Sequence, residues 1–304
     1  MLKKYASLFV ILSGCLWGTM GLFVRIFNNY GFSSIEIVSM RCILTSVFLF
    51  IYIGIYKPDL LKINIKDLWC FAGAGILSLL FFNYCYFKTI TLTNLSVAAI
   101  LLYTSPIFVM ILSLVIFGEK ITTKKFISLI MVLVGCSLVC GIIGGVDNLT
   151  FTGIITGLCS GFGYSLYSIF TRFALKKDYS PITTTAYTFL FASIGCMFLT
   201  NFPSLINTLS ESGFNSLCLF ILYAFATSLF SYILYATALQ YIENTTASVI
   251  VSIEPVVATI IGIVVFKETL TIPMVFGIIL VIGALGLLNI NYASIKYALY
   301  NKIK

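Results

Sequence analysis

The chain contains no histidine, and charged residues make up only 9% of it. Without imidazole there is no familiar zinc or haem ligand set and no side chain that ordinarily titrates near neutrality. Any proton coupling therefore falls to a carboxylate. The nine cysteines form no CxxC and all fall within apolar runs, where they read as small buried side chains. No GxxxxGK[ST] loop is present, which argues against ATP drive within this chain. No Ser/His pair or paired intramembrane Asp supports a hydrolase, and no ring of acids supports a simple ion channel. The expectation is a protein that is not an enzyme and has no cofactor or metal.

Apolar sequence dominates what is present. Of 304 residues, 60% are hydrophobic and the mean hydropathy is +1.09. A soluble domain carries about a quarter charged residues, so a water-soluble fold is excluded and the class is all-α polytopic membrane protein. Apolar windows predict ten spans, at 5–27, 34–56, 67–90, 94–117, 123–141, 152–175, 181–201, 214–240, 245–266 and 272–290. The first is too long for a signal-peptide core and has no A-x-A cleavage site. Start signals support several spans: Ser33 with Glu36 as a capping box, Ser180-Pro181 as an N-cap with proline at the first turn, and Asn64 or Asp67 ahead of span three.

The net charge of +8 lies in short loops, which excludes a nucleic-acid surface. Fourteen of the eighteen basic residues fall on one side, from Lys3 and Lys4 through the clusters at 57–66, 120–125 and 172–177 to Lys296, Lys302 and Lys304. Arg25, Lys88 and Lys267 lie on the other side, and Arg41 falls inside span two. The bias predicts a multi-pass protein of the cytoplasmic membrane with both termini cytoplasmic.

The chain repeats itself. Thr245–Thr271 carries Glu254-Pro255 near its middle, and Leu95–Thr122 carries Ser105-Pro106 at the matching place, 149 positions earlier. Phe117, Glu119 and Thr122 match Phe266, Glu268 and Thr271. At an offset of 147, Trp17 and Arg25 match Tyr164 and Arg172. Five spans per copy place the second copy upside down relative to the first. The result is ten transmembrane helices as a 5+5 inverted-topology repeat, an arrangement that puts a substrate site near midplane between the copies.

Glu254 lies nine residues into span nine, roughly 14 Å along a helix rising 1.5 Å per residue. It reads either as a contact for a substrate ammonium or a proton, or as a carboxylate tied to a neighbouring helix. Pro106 and Pro255 free the carbonyls of Leu102 and Val251 and are read as kinks, for gating or for packing alone. Arg41 either reaches toward Glu254 or snorkels to the interface. Trp17, Asn83, Tyr84, Tyr86, Tyr103, Tyr164, Tyr232 and Tyr235, with Ser105 and Ser252, are candidates to line a central cavity, against a packing or interfacial role for each. Glu119 and Glu268 read as solvated turn or cap residues. Gly14-x3-Gly18 and Gly153-x3-Gly157-x3-Gly161 are close-packing stripes.

Taken together, Trp17-Gly18, Arg41, SPIFVMILSLVIFGEKIT and EPVVATIIGIVVFKETLT resemble the EamA family of the drug/metabolite transporter superfamily. The likeness runs over 6–141 and 153–290 as two repeats, leaving 291–304 as a cytoplasmic tail. The second copy departs from the family's Gly-Glu, having Lys267-Glu268. The resemblance implies a basket-like bundle with a central cavity, spans five and ten peripheral, and alternating-access movement of a small metabolite, often export of amino acids. Relatives also carry sugars, nucleotide sugars, vitamins and cations. Arg41 as the only basic residue well inside a span argues against a multiply charged phosphate substrate. The leading expectation is export of a zwitterion or cation with the bilayer, and a proton or counter-substrate, as partners. Another substrate class of the superfamily and a passive channel are the alternatives.

Overall fold

The computed structural model describes residues 2–141 and 150–289. The expected tail at 291–304 and the last residue of span ten lie outside the described residues. Ten membrane helices run in the predicted order. Seven segments are long and apolar enough to cross a bilayer: Leu2–Asn29, Ser34–Tyr56, Ile65–Leu92, Leu95–Phe117, Phe151–Lys176, Phe202–Leu239 and Asn244–Phe266. They form spans one to four, six, eight and nine. Span five (Thr123–Val139), span seven (Pro181–Met197) and span ten (Ile272–Asn289) are shorter.

The starts follow their caps. Glu36 accepts the Ser33 amide at 2.8 Å, and Ser180 accepts the Thr183 amide at 3.0 Å. Asp67 departs from its expected role. Its side chain makes no cap bond and instead accepts Lys177 Nζ at 2.5 Å and the Tyr179 hydroxyl at 2.8 Å. This pair, outside the membrane-spanning segments, holds the Lys177 ammonium above its ordinary pKa, chiefly through the hydrogen bond to Asp67.

Span seven ends earlier than expected, at Met197, and a helical segment at 202–212 precedes span eight. Asn201 caps it at the Ser204 amide and Pro203 sits in its first turn. Its serines, Asn207 and Glu211 hide it from a hydropathy window, and Gly213 at φ 74° turns the chain into the membrane.

The two copies interleave. Span one packs on spans eight and nine, and span six packs on their counterparts, three and four. Span two packs on span seven, and span five packs chiefly on span ten. Glycine sets the closest of these crossings. A Cβ on Gly277 would stand 2.6 Å from the Gly135 carbonyl oxygen, and one on Gly75 2.4 Å from that of Thr188. The central core is aromatic, with Trp17 within 4.9 Å of Tyr232 and 5.4 Å of Tyr235 between ring centroids.

Spans three and eight each contain a π-helical stretch, Gly73–Leu80 and Phe225–Phe230. The two occupy matching places in the copies. Trp17 donates its indole N–H to the Thr227 carbonyl at 3.0 Å, and Ser13 donates to the Ser231 carbonyl at 2.6 Å. Span one thus serves carbonyls that the wide turn presents to it.

Candidate functional site: a cavity between two broken helices

Spans four and nine are each interrupted near the middle. Span four runs Leu95–Leu102, turns at Tyr103 and Thr104, and resumes as Ser105–Phe117. Span nine runs Asn244–Val251, turns at Ser252 and Ile253, and resumes as Glu254–Phe266. Proline has no N–H and clashes inside a helix, but it costs nothing in a first turn, whose amides have no helical partner. Pro106 and Pro255 are therefore second residues of the helical segments that resume after the turns.

The interrupted carbonyls meet glycine. A Cβ on Gly161 would lie 2.8 Å from the Leu101 oxygen, and one on Gly14 2.9 Å from that of Val251. Both glycine stripes serve these crossings, each span lying against the break in the opposite orientation to its counterpart.

The break changes the meaning of Glu254. It is the first residue of a half-helix, where the positive end of the helix dipole favours a carboxylate. The Tyr164 hydroxyl donates to its Oε2 at 3.2 Å. Ser105 holds the same place in the first copy. One member of the pair carries a carboxyl group and the other does not.

A cavity of about 730 Å³ opens between the halves. Of the predicted residues, Trp17, Arg41, Asn83, Tyr86, Tyr103, Tyr164, Tyr232, Glu254 and Pro255 line it. Arg25, Asn28, Ser34, Ser96 and Glu268 stand toward its mouth. Ser105, Tyr235 and Ser252 do not reach it. Together with Tyr103, Tyr164 and Glu254 they surround a water-sized void of about 10 Å³ beyond the cavity floor. Pro106 is buried and lines neither space. Tyr84 is 57% exposed on the outer surface of the bundle and does not belong to the site.

Arg41 is 2% exposed, so it does not snorkel. Its Nη1 lies 3.2 Å from Met20 sulfur, and its guanidinium carbon lies 6.0 Å from the Tyr223 ring centroid. Its Nε has no hydrogen-bond partner, and among the described residues no carboxylate pairs with it. Arg41 and Glu254 share the cavity without pairing. Met20 and Tyr223, which seat Arg41, were not anticipated; neither type stands out in an apolar sequence.

Glu119 is also placed differently from expectation. Only 9% exposed, it accepts the Asn244 amide at 2.7 Å, the Thr245 amide at 3.1 Å and the Thr245 hydroxyl at 2.8 Å. Arg172 completes the cluster, donating from Nε to Asn244 Oδ1 at 2.8 Å and from Nη2 to the Ile242 carbonyl at 2.5 Å. Beside it, Lys125 pairs with Glu243. This network joins the ends of spans four and six to the start of span nine, on the side away from the cavity mouth.

Two inverted five-helix copies, broken helices at matching depth and a lined cavity between them define a membrane transporter. The family comparison makes the assignment specific. The model of the EamA-like transporter family matches residues 4–141 and 151–290, and the chain belongs to that family. An uncharacterized transporter of Archaeoglobus fulgidus is 27% identical over 281 residues, 90% of this chain and 92% of the relative. One from Clostridium kluyveri is 25% identical, covering 97% and 95%. The uncharacterized transporter YxxF of Bacillus subtilis is 24% identical, covering 90% and 88%. A solved crystal structure superposes with a TM-score of 0.75 at 14% identity, covering 94% of this chain and 96% of its own.

Proposed function

We propose that the protein is a secondary active transporter that exports a small zwitterionic or cationic metabolite, of the amino-acid kind, across the cytoplasmic membrane by alternating access. Two repeats, 6–141 and 153–290, form the moving halves, and both termini are cytoplasmic. The cavity then opens outward, since Arg25 and Glu268 ring its mouth, while the Glu119–Arg172 network closes the cytoplasmic side.

The observation that carries the reading is Arg41, a buried guanidinium in the cavity that no carboxylate of the described residues pairs with. A buried, unpaired charge is costly, and a substrate carboxylate would offset that cost. Glu254 takes the substrate ammonium or a proton, and Trp17, Tyr86, Tyr103, Tyr164 and Tyr232 form the aromatic wall. The separation of Arg41 from Glu254 suits a ligand carrying both charges better than a dianion.

The test is counterflow in proteoliposomes with a panel of amino acids, amines, sugars and nucleosides. Saturable exchange of an amino acid or amine, lost in Glu254→Gln and Arg41→Gln, is the expected result. Exchange of neutral sugars that is indifferent to both substitutions would refute the substrate class. Flux without counterflow would indicate a pore.

A further inference from the structure

We propose that Glu119 and Glu268 are alternating latches. Each carboxylate would cap the first turn of the other repeat's broken span, Glu119 in the state seen here and Glu268 in the state open to the opposite side. The inference rests on the alternating-access reading above and assigns residues to the step that exchanges the two states.

The two acids have the same backbone setting. Each follows a left-handed residue, Gly118 at φ 67° and Lys267 at φ 58°, and each amide closes the end of its helix, on Ser113 and Gly262 at 3.2 Å. Their side chains differ in surroundings. Glu119 is buried and engaged as described, satisfying two first-turn amides that a helix cannot satisfy itself. Glu268 is about half exposed at the open mouth and pairs with Arg25 at 2.6 Å.

Every part of the closed latch has a counterpart at the open mouth. Arg25 matches Arg172. Leu95 and Ser96 match Asn244 and Thr245 at the offset of 149, and Ser96 offers a hydroxyl where Thr245 offers one. Asn94 already caps the Val97 amide at 2.9 Å, leaving the two earlier amides, Leu95 and Ser96, toward the mouth. Closure of span nine's end onto span four's start would bring Glu268 to them, as span four's end meets span nine's start now.

The latches are unequal. Leu95 lacks the side-chain oxygen that Asn244 gives to Arg172. The Lys125–Glu243 pair is replaced at the matching positions by Met274 and Asn94. The mouth latch is therefore the weaker one, in keeping with the Glu119 side being the shut one here.

Hydrogen exchange on the full-length protein in nanodiscs, without substrate, tests this directly, because exchange reads local opening. Glu119→Gln is expected to speed exchange of the Asn244 and Thr245 amides about tenfold, the order of one lost charge-assisted hydrogen bond. It is also expected to slow exchange at Leu95 and Ser96 as the mouth closes. Adding Glu268→Gln should cancel that slowing. Thr245→Val, which removes one hydroxyl contact, should move both sites the same way by less. If 244–245 loosens in either variant while 95–96 stays unchanged, Glu119 is a helix cap only and the latch is wrong. Counterflow that persists in the native chain would then leave the transporter reading standing, so the two can fail separately.

Discussion

The Tyr164 hydroxyl donates to the Glu254 carboxylate at 3.2 Å, and this bond links span six to the first turn of the resumed span nine. Tyr164 matches Trp17 in the other copy, so the two repeats place a different aromatic donor at the same level. Tyr164→Phe removes the hydroxyl and keeps the ring, which stays edge-on to Phe82 at 5.4 Å and Trp17 at 6.3 Å. A hydrogen bond to a charged group is worth about 1.5–3 kcal/mol. We therefore expect transport of the counterflow substrate to fall at least about tenfold, with a drop of a few degrees in melting temperature. Initial rates in proteoliposomes, beside thermal unfolding, measure both.

Trp17 serves stability as well as the cavity wall. Its indole N–H satisfies the Thr227 carbonyl at 3.0 Å within the π-helical turn of span eight. Trp17→Phe leaves that buried carbonyl with one donor fewer and is expected to cost about 1–3 kcal/mol. The accompanying drop is about 2–4 °C per kcal/mol for a chain of this order of size. Thermal unfolding in detergent reads it. Unchanged stability would mean that the Ser231 hydroxyl, which also donates to that carbonyl at 2.6 Å, suffices alone.

Hydropathy and the internal repeat made the membrane class, the ten spans and their inversion legible. Span two came out at its observed limits, Ser34–Tyr56. The break at Ser252–Ile253 was not legible, because a proline in an apolar run reads the same whether the helix bends around it or restarts with it. Neither π-helical stretch carries a composition of its own. The Glu119–Asn244 contact joins residues 125 apart in sequence, with spans five to eight between them. Its one trace in the sequence was the Glu119–Glu268 match, read as a solvated turn or cap; Glu119 does cap amides, but buried ones on the other repeat. Arg41 was visible as an intramembrane cation, whereas the absence of a paired carboxylate among the described residues emerges only once the neighbouring helices are in place.

Two glycines separate packing from propensity. A Cβ on Gly75 would stand 2.4 Å from the Thr188 carbonyl oxygen and 2.8 Å from the Ala192 amide, both rigid backbone, while one on Gly54 would meet nothing within 4 Å. Gly75→Ala must push span three away from span seven and is expected to destabilise by about 1–3 kcal/mol. Gly54→Ala is expected to be neutral or to stabilise by up to about 1 kcal/mol. Measuring the two side by side in one thermal-unfolding series controls for the general effect of adding a methyl group.

The ends of spans four and nine offer a stability test that leaves the cavity untouched. Lys267 adopts φ 58°, ψ 30° where the first copy has Gly118 at φ 67°, ψ 26°. A side chain in this left-handed region costs about 1–2 kcal/mol, because its Cβ crowds the following carbonyl. Glycine escapes that cost, and a Cβ on Gly118 would meet nothing within 4 Å, so only the backbone conformation is at issue there. Lys267→Gly is therefore expected to stabilise by about 1 kcal/mol, and Gly118→Ala to destabilise by a similar amount. Opposite shifts in melting temperature would establish the cost as one of backbone conformation. A loss of stability in both would instead mean that the Lys267 side chain holds the end of span nine through its own contacts.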